Sequence, residues 1–265
     1  MPQYGTEGRS FNVISRAQFA CSLFVYFAAA ACVSAQTQST VPTDESIVAQ
    51  MAQAQAENRT HSRPYIVTRD YTLFGQETHL GFKSRVIAEI TVVPPDSKKY
   101  TIENHNGSGL GEKIVRKMLD GEVAFAKDPG STDITRDNYD FLLVREGELN
   151  GQRCYVLELL PRRKSKNLLR GTIWVDANTY LPLRVEGEPA TSPSWWLRDV
   201  RIVLLYGYAG PMWLQTSSEA TANVRILGRS TMVSRDVKYQ IGELTSASLT
   251  QTMVSAGEMT PEGQR

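Results

Sequence analysis

Cysteine and histidine are the scarcest reactive residues in this chain. Three of each are spread over 265 residues, too little material for a zinc site, which wants four clustered ligands. A surplus of one charge is also missing. The 29 basic and 28 acidic residues give a formal net charge of +1, which argues against a nucleic-acid partner. No Gly-x-Ser-x-Gly elbow and no His-Glu-x-x-His pair occurs, so no nucleophile–base–orienter set can be named for a hydrolase. The remainder is 41% hydrophobic, 22% charged and 9% aromatic. Such proportions suit a globular chain and exclude disordered, collagen-like and disulfide-scaffold classes. The length allows one large domain or two small ones.

Residues 1–35 read as an address. Arg9 and Arg16 form a basic leader, residues 19–33 an apolar core short for a membrane span, and Val33-Ser34-Ala35 a cleavage site. The rivals are an uncleaved anchoring helix and a lipoprotein box, Ala29-Ala30-Ala31-Cys32, which lacks the usual leucine. Cleavage after Ala35 leaves 27 basic and 27 acidic residues, with Cys154 as the single cysteine. An exported chain with one cysteine has no internal disulfide. Cys154, inside an apolar run, reads as a small buried hydrophobe rather than a nucleophile.

Residues 36–62 read as a linker and a helix. Thr43 is its cap, Asp44 and Glu45 suit the positive end of the helix dipole, and Ile47, Val48, Met51, Ala52 and Ala54 recur at helical spacing up to about Asn58. From Arg63 the pattern becomes β-branched and aromatic. Strands are expected at 65–74, 82–93 and 99–103, a helix at 110–127, then strands at 139–149, 152–160, 169–176, 180–186, 199–207, 212–220, 222–227 and 231–241. Asn150-Gly151 is the strongest hairpin signal, because a type I′ turn needs φ > 0 at both central residues. The domain is expected at 63–245, followed by a polar tail at 246–265. Some strands alternate, as at Arg170-Gly-Thr-Ile-Trp-Val175, and others are apolar on both faces, as at Ile202-Val-Leu-Leu-Tyr206. Both a curved sheet covered by two helices and a two-layer sandwich fit, and periodicity does not separate them.

Most candidate motifs read as structure. Gly107-Ser-Gly109-Leu-Gly111 has Glu112 where a dinucleotide fingerprint wants glycine, so the glycines read as a flexible strand-to-helix link. His61, His79 and His105 are isolated, and Glu186 and Glu188 read as solvated charge. Arg162-Arg-Lys-Ser-Lys166 reads as a solvated loop that discourages edge pairing, or as a site for anionic headgroups or an acidic partner. Trp195-Trp196 and Trp213 stand beside prolines or glycines at strand ends, suiting a binding rim or packed sheet corners.

Gly171-Thr-Ile-Trp-Val-Asp176 followed by Thr179-Tyr-Leu-Pro182-Leu-Arg184 resembles a hairpin of periplasmic lipoprotein-sorting proteins. Asn138-Tyr-Asp-Phe141, Cys154-Tyr-Val-Leu157, Arg184-Val-Glu-Gly187-Glu-Pro-Ala190, Pro193-Ser-Trp-Trp196 and Gly210-Pro-Met-Trp213-Leu214 extend the likeness over residues 60–240. The chain resembles an uncharacterised branch of the outer-membrane lipoprotein-sorting family, within the LolA/LolB-like superfamily. It departs from the pattern at Gln215, where a proline is usual, and no position matches the carrier's lid-contacting arginine.

The resemblance implies a mainly β fold: an unclosed antiparallel half-barrel of about ten to eleven strands, with an N-terminal and an internal helix covering its concave face. It also implies a periplasmic, non-catalytic carrier of lipoprotein acyl chains or a similar amphiphile, without metal or cofactor. The alternative is an envelope sensor or scaffold binding a membrane-protein partner. A monomer is expected, in the periplasm or anchored through Cys32. The expected cavity residues are Phe141, Leu143, Trp174, Trp195, Trp196, Tyr206 and Trp213, with Met118 and Phe125 from the internal helix. A slip of one residue in strand register would exchange the two faces.

Overall fold

The computed structural model describes residues 42–75, 83–107, 109–225 and 228–242. The expectations for residues 1–35, Cys32, His79 and the tail 246–265 lie outside the described residues. Helix α1 (Asp44–Thr60) begins as its sequence dictates: the Thr43 hydroxyl accepts from the Ser46 N–H at 3.2 Å, and Asp44 and Glu45 fill the first turn. Strands β1 (Tyr65–Gly75), β2 (Lys83–Val93) and β3 (Ser97–Gly107) follow, then helix α2 (Gly109–Ala126) and a short 3-10 turn. Seven strands complete the chain: β4 (Tyr139–Leu149), β5 (Gln152–Pro161), β6 (Leu169–Asp176), β7 (Pro182–Pro189), β8 (Leu197–Ala209), β9 (Met212–Val224) and β10 (Gly228–Ile241). The β4–β5 hairpin turns on Asn150 (φ 54°) and Gly151 (φ 84°), both in the left-handed region a type I′ turn requires. Residues 212–220 and 222–224, expected to fall in two strands (212–220 and 222–227), belong to a single strand, β9, whose pairing with β8 and β10 runs on through Thr221.

All ten strands form one antiparallel sheet, ordered β3-β2-β1-β10-β9-β8-β7-β6-β5-β4. The first and last strands of the chain pair near its middle, β3 and β4 are its edges, and it does not close. Directly opposed residues of antiparallel strands share a face, so the register identifies the sides. One row runs through Leu157, Ile173, Val185 and Leu204 on β5–β8, through Ser218 and Ser234 on β9 and β10, to Tyr71 and Val86 on β1 and β2. Both helices pack on this inner side. Ile47, Val48 and Met51 of α1 are buried against β4–β7, and Val115 and Leu119 of α2 against β1 and β2. The mainly β, unclosed half-barrel with two helices is therefore the observed architecture.

One close approach within the sheet depends on glycine. Gly171 and Gly187 face each other in the next inner row, between Leu159 and Ile202. A Cβ on Gly171 would stand 2.0 Å from the Glu186 carbonyl oxygen, and one on Gly187 would stand 2.2 Å from that of Arg170. Only glycine lets β6 and β7 press together on the inner side, the kind of contact at which a sheet can bend sharply.

Gly171→Val is therefore expected to destabilise the fold by roughly 1–3 kcal/mol, as overpacking does, and to lower the thermal midpoint. Gly109→Ala, where a Cβ meets nothing within 4 Å, should leave it close to wild type. Equal midpoints for the two variants would contradict this need for glycine.

Candidate functional site

Strand β1 points Val67, Arg69, Tyr71 and Leu73 inward, and three of the four are buried apolar or aromatic side chains. Arg69 interrupts them. A guanidinium among apolar groups is costly unless fully paired, and the chain pairs it through an irregularity in β10. The β1–β10 register shifts after Thr68, leaving Val237 as an extra residue, 59% exposed, and placing Asp236 directly opposite Arg69. Arg69 Nε bonds Asp236 Oδ1, and Nη2 donates to Oδ2 at 3.2 Å. The Tyr239 hydroxyl also donates to Oδ2, at 2.6 Å.

Helix α2 enters the same network. Glu122 accepts from Lys98 Nζ at 2.7 Å and from Arg69 Nη1 at 3.4 Å. Burial works to push the Glu122 carboxyl up, but the charges of Lys98 and Arg69 outweigh it and hold it below the ordinary carboxylate range. Burial likewise opposes the Arg69 charge, while Glu122 and Asp236 keep the guanidinium firmly protonated. Tyr71, fully buried beside these charges, has its phenol pushed up chiefly by burial, with the neighbouring Arg69 guanidinium working the other way, and its hydroxyl makes no hydrogen bond of good geometry. Two further contacts hold α2: Tyr100 Oη donates to Asp120 at 2.6 Å, and His105 lies 3.2 Å from Glu112.

Two of the three glycines read as a flexible link, Gly107 ahead of α2 and Gly111 in its first turn, are contact points, whereas Gly109 faces open space. Gly107 (φ 98°) would place a Cβ 2.2 Å from the Lys83 carbonyl oxygen, and Gly111 would place one 2.3 Å from Ser84 Cβ. Helix α1 is held differently. Asn58 accepts from the Trp213 N–H at 2.8 Å and donates to its carbonyl at 2.9 Å. Between the helices, the cluster under α1 reaches Leu204 and Tyr206, and that under α2 reaches Met232. Ser218 and Ser234 share a 2.7 Å hydrogen bond between them on the same face.

The expected cavity residues divide. Phe141, Leu143 and Tyr206 pack beside α1 on the inner side, and Met118 packs in the α2 cluster. Phe125 is half-buried in the last turn of α2, against Gly121. Trp174 is on the outer face: it opposes Val156 and joins Cys154, Leu183 and Trp213 in a separate small cluster. Arg184 stacks on Trp174 at 5.4 Å, and Trp213 Nε1 donates to the Pro182 carbonyl at 2.7 Å. Trp195 is 76% exposed with Arg225 stacked on it at 5.3 Å, and Trp196 is half-buried beside it. The tryptophans thus do not gather with the inner aromatics.

Cys154 is buried and its thiol is pushed up by burial. In the basic cluster, Arg162 donates to the Arg136 carbonyl at 2.8 Å and Arg163 to that of Ser131 at 2.5 Å, fastening the loop ahead of β4. Glu186 lies within β7 and accepts from Arg184 at 2.6 Å, so it is paired rather than merely solvated. Among the described residues no group of three or more His, Cys, Asp or Glu could hold a metal ion. No described helix is long and apolar enough to cross a membrane.

The site residues that pattern reading missed are Arg69, Lys98, Glu122 and Asp236. A charged residue at an inward position of an otherwise apolar alternation was the available signal for Arg69.

With this geometry in place, the chain can be set beside known proteins. A family model described as an uncharacterized protein matches residues 115–242. No curated protein matches the chain. Among solved structures, a domain assigned to outer membrane lipoprotein sorting from Vibrio parahaemolyticus is similar at 13% identity, over 76% of this chain and 97% of that one, with a TM-score of 0.42. A DUF1329 family protein from Desulfovibrio piger is similar at 16% identity, over 78% and 98%, with a TM-score of 0.41. A LolA superfamily protein from Nitrosomonas europaea is similar at 12% identity, over 78% and 96%, with a TM-score of 0.35. The resemblance stated from the sequence is found again. The architecture itself rests on the strand order and register, not on these likenesses.

The lowered Glu122 carboxyl makes the hold on α2 pH-dependent. A depressed acid contributes stability at neutral pH and loses it as pH falls through its folded-state value. The gap in thermal midpoint between wild type and Glu122→Gln is therefore expected to be full at pH 7. It should close in acid, below the ordinary glutamate value of about 4.3. A gap as large at pH 3 as at pH 7 would contradict the ionic hold.

Proposed function

We propose that this protein is a non-catalytic periplasmic carrier that binds the acyl chains of lipoproteins, or a similar amphiphile, on the inner face of the half-barrel. The observation that carries the reading is the difference between the sheet and its cover. Ten continuously paired strands make a stiff, bent wall with an apolar inner side. Helix α2 lies on that wall with only Gly111, Val115 and Leu119 buried, and is tied by ion pairs that water can replace. A helix held this way can lift and expose apolar surface to a chain while the wall keeps its shape. Phe141, Leu143 and Tyr206 form the part of the seat beside α1, and Met118 and Phe125 travel with the lid. The leader at residues 1–35 supports export, with anchoring through Cys32 as the other arrangement.

A partner protein is the second reading, favoured by Trp195, whose indole is three-quarters exposed on the loop before β8. A large exposed aromatic with a stacked arginine is the kind of group that anchors interfaces.

Native mass spectrometry of the purified chain mixed with a palmitoylated lipopeptide tests the first reading. One bound lipopeptide per chain is expected, removed by delipidation, with the unacylated peptide giving none. A clean apoprotein mass at every lipopeptide concentration would overturn the carrier reading and move the weight to a Trp195 interface.

A further inference from the structure

We infer that the surface beneath α2 seats a negatively charged headgroup on an apolar chain, a carboxylate or phosphate, and that Glu122 holds the place the ligand's own charge takes. The inference rests on the carrier reading and adds the headgroup chemistry to it.

Four charges meet under α2, and they do not belong to the same body. Arg69, Lys98 and Asp236 belong to strands; Glu122 alone belongs to the helix. Asp236, with its side chain 2% exposed, is consumed by Arg69 Nε and Nη2 and by Tyr239. It stays with the sheet whatever the helix does. When α2 lifts, Arg69 Nη1 and Lys98 Nζ lose their acceptor. The recess changes from balanced to one net positive charge, among Val67, Ala88 and Ile90. A neutral amphiphile leaves that charge uncompensated in an apolar setting, where solvation is poor. An anionic one restores the lost pairs.

Tyr71 supplies a second sign. Its hydroxyl is buried beside Arg69 and makes no hydrogen bond of good geometry, while its ring is fully covered. An orphaned phenol costs stability for no structural return. It is a spare donor close enough to Arg69, Glu122 and Asp236 to feel their charges. A carboxylate or phosphate has more acceptor positions than the two cations use, and the Tyr71 O–H has no other acceptor to serve. Arg69 and Lys98 are thus two donors already aimed at one anion, and Tyr71 is the spare donor beside Arg69.

The test compares oleate, oleyl alcohol and inorganic phosphate binding to the full chain by titration calorimetry. Oleate is expected to bind about tenfold or more tighter than oleyl alcohol, the scale of charged hydrogen bonds, and inorganic phosphate only weakly. Tyr71→Phe removes the orphan hydroxyl without changing shape. It should leave the thermal midpoint equal or higher while the oleate preference falls several-fold. Lys98→Gln should bring the oleate-to-alcohol ratio close to one. Equal binding of oleate and oleyl alcohol by wild type would overturn the headgroup inference and leave the carrier reading standing. Phosphate binding as tightly as oleate would make this a free-anion site and overturn it too. Failure of both chains to bind would remove the carrier reading, and this inference with it.

Discussion

A guanidinium buried in an apolar wall is the constraint around which one half of this molecule is arranged. Arg69 cannot remain charged among Val67, Tyr71 and Leu73 without acceptors on every side. The irregularity in β10 that expels Val237 exists in physical terms to turn Asp236 inward, and Tyr239 fills the remaining acceptor position on that carboxylate. The third side of the guanidinium is served by Glu122, from a helix. A buried ion network of this kind is seldom the most stable filling for its space, since apolar side chains of equal volume do as well or better. On the proposed carrier reading its value is reversibility: water or another anion could replace Glu122, whereas nothing in solution replaces packed leucine.

The two helices are consequently unlike each other. Helix α1 brings Ile47, Val48 and Met51 into the larger cluster, and Asn58 joins it to the backbone of β9 by a reciprocal pair of hydrogen bonds. Helix α2 closes on β2 through the missing Cβ of Gly111 and on β1 and β3 through charge. Beneath both, the sheet is continuous from β3 to β4, with a close backbone approach at Gly171 and Gly187. A continuous sheet under a helix with few buried side chains is the division of labour that the proposed carrier role would need.

Elements whose signals are local were legible in the sequence. Thr43 caps α1, Asn150-Gly151 turns the first hairpin after α2, and β4 and β6 occupy their expected residues because apolar or β-branched stretches there are bounded by turn residues. Faces were harder. The β6–β7 register shifts after Trp174, which puts Leu183 and Arg184 both on the outer side with it; no alternation count reveals such a bulge. The network at Arg69 was out of reach for another reason: its acceptors stand 167 and 53 residues away in the chain. The lone inward charge was visible, but its partners belong to tertiary structure. The same holds for Gly111, whose need for glycine comes from Ser84 on a facing strand, and in part for Gly107, which is pressed by Lys83 as well as held at φ 98°.

The central claim is that α2 leaves the wall when an amphiphile arrives and the wall does not move. Hydrogen exchange along the chain, with and without a bound palmitoylated lipopeptide, tests it most directly. On binding, the amides of α2 should lose protection while those of the paired β1 and β10 keep theirs. Protection of α2 unchanged at saturating lipopeptide would contradict the claim, because a ligand that binds without moving α2 is seated elsewhere.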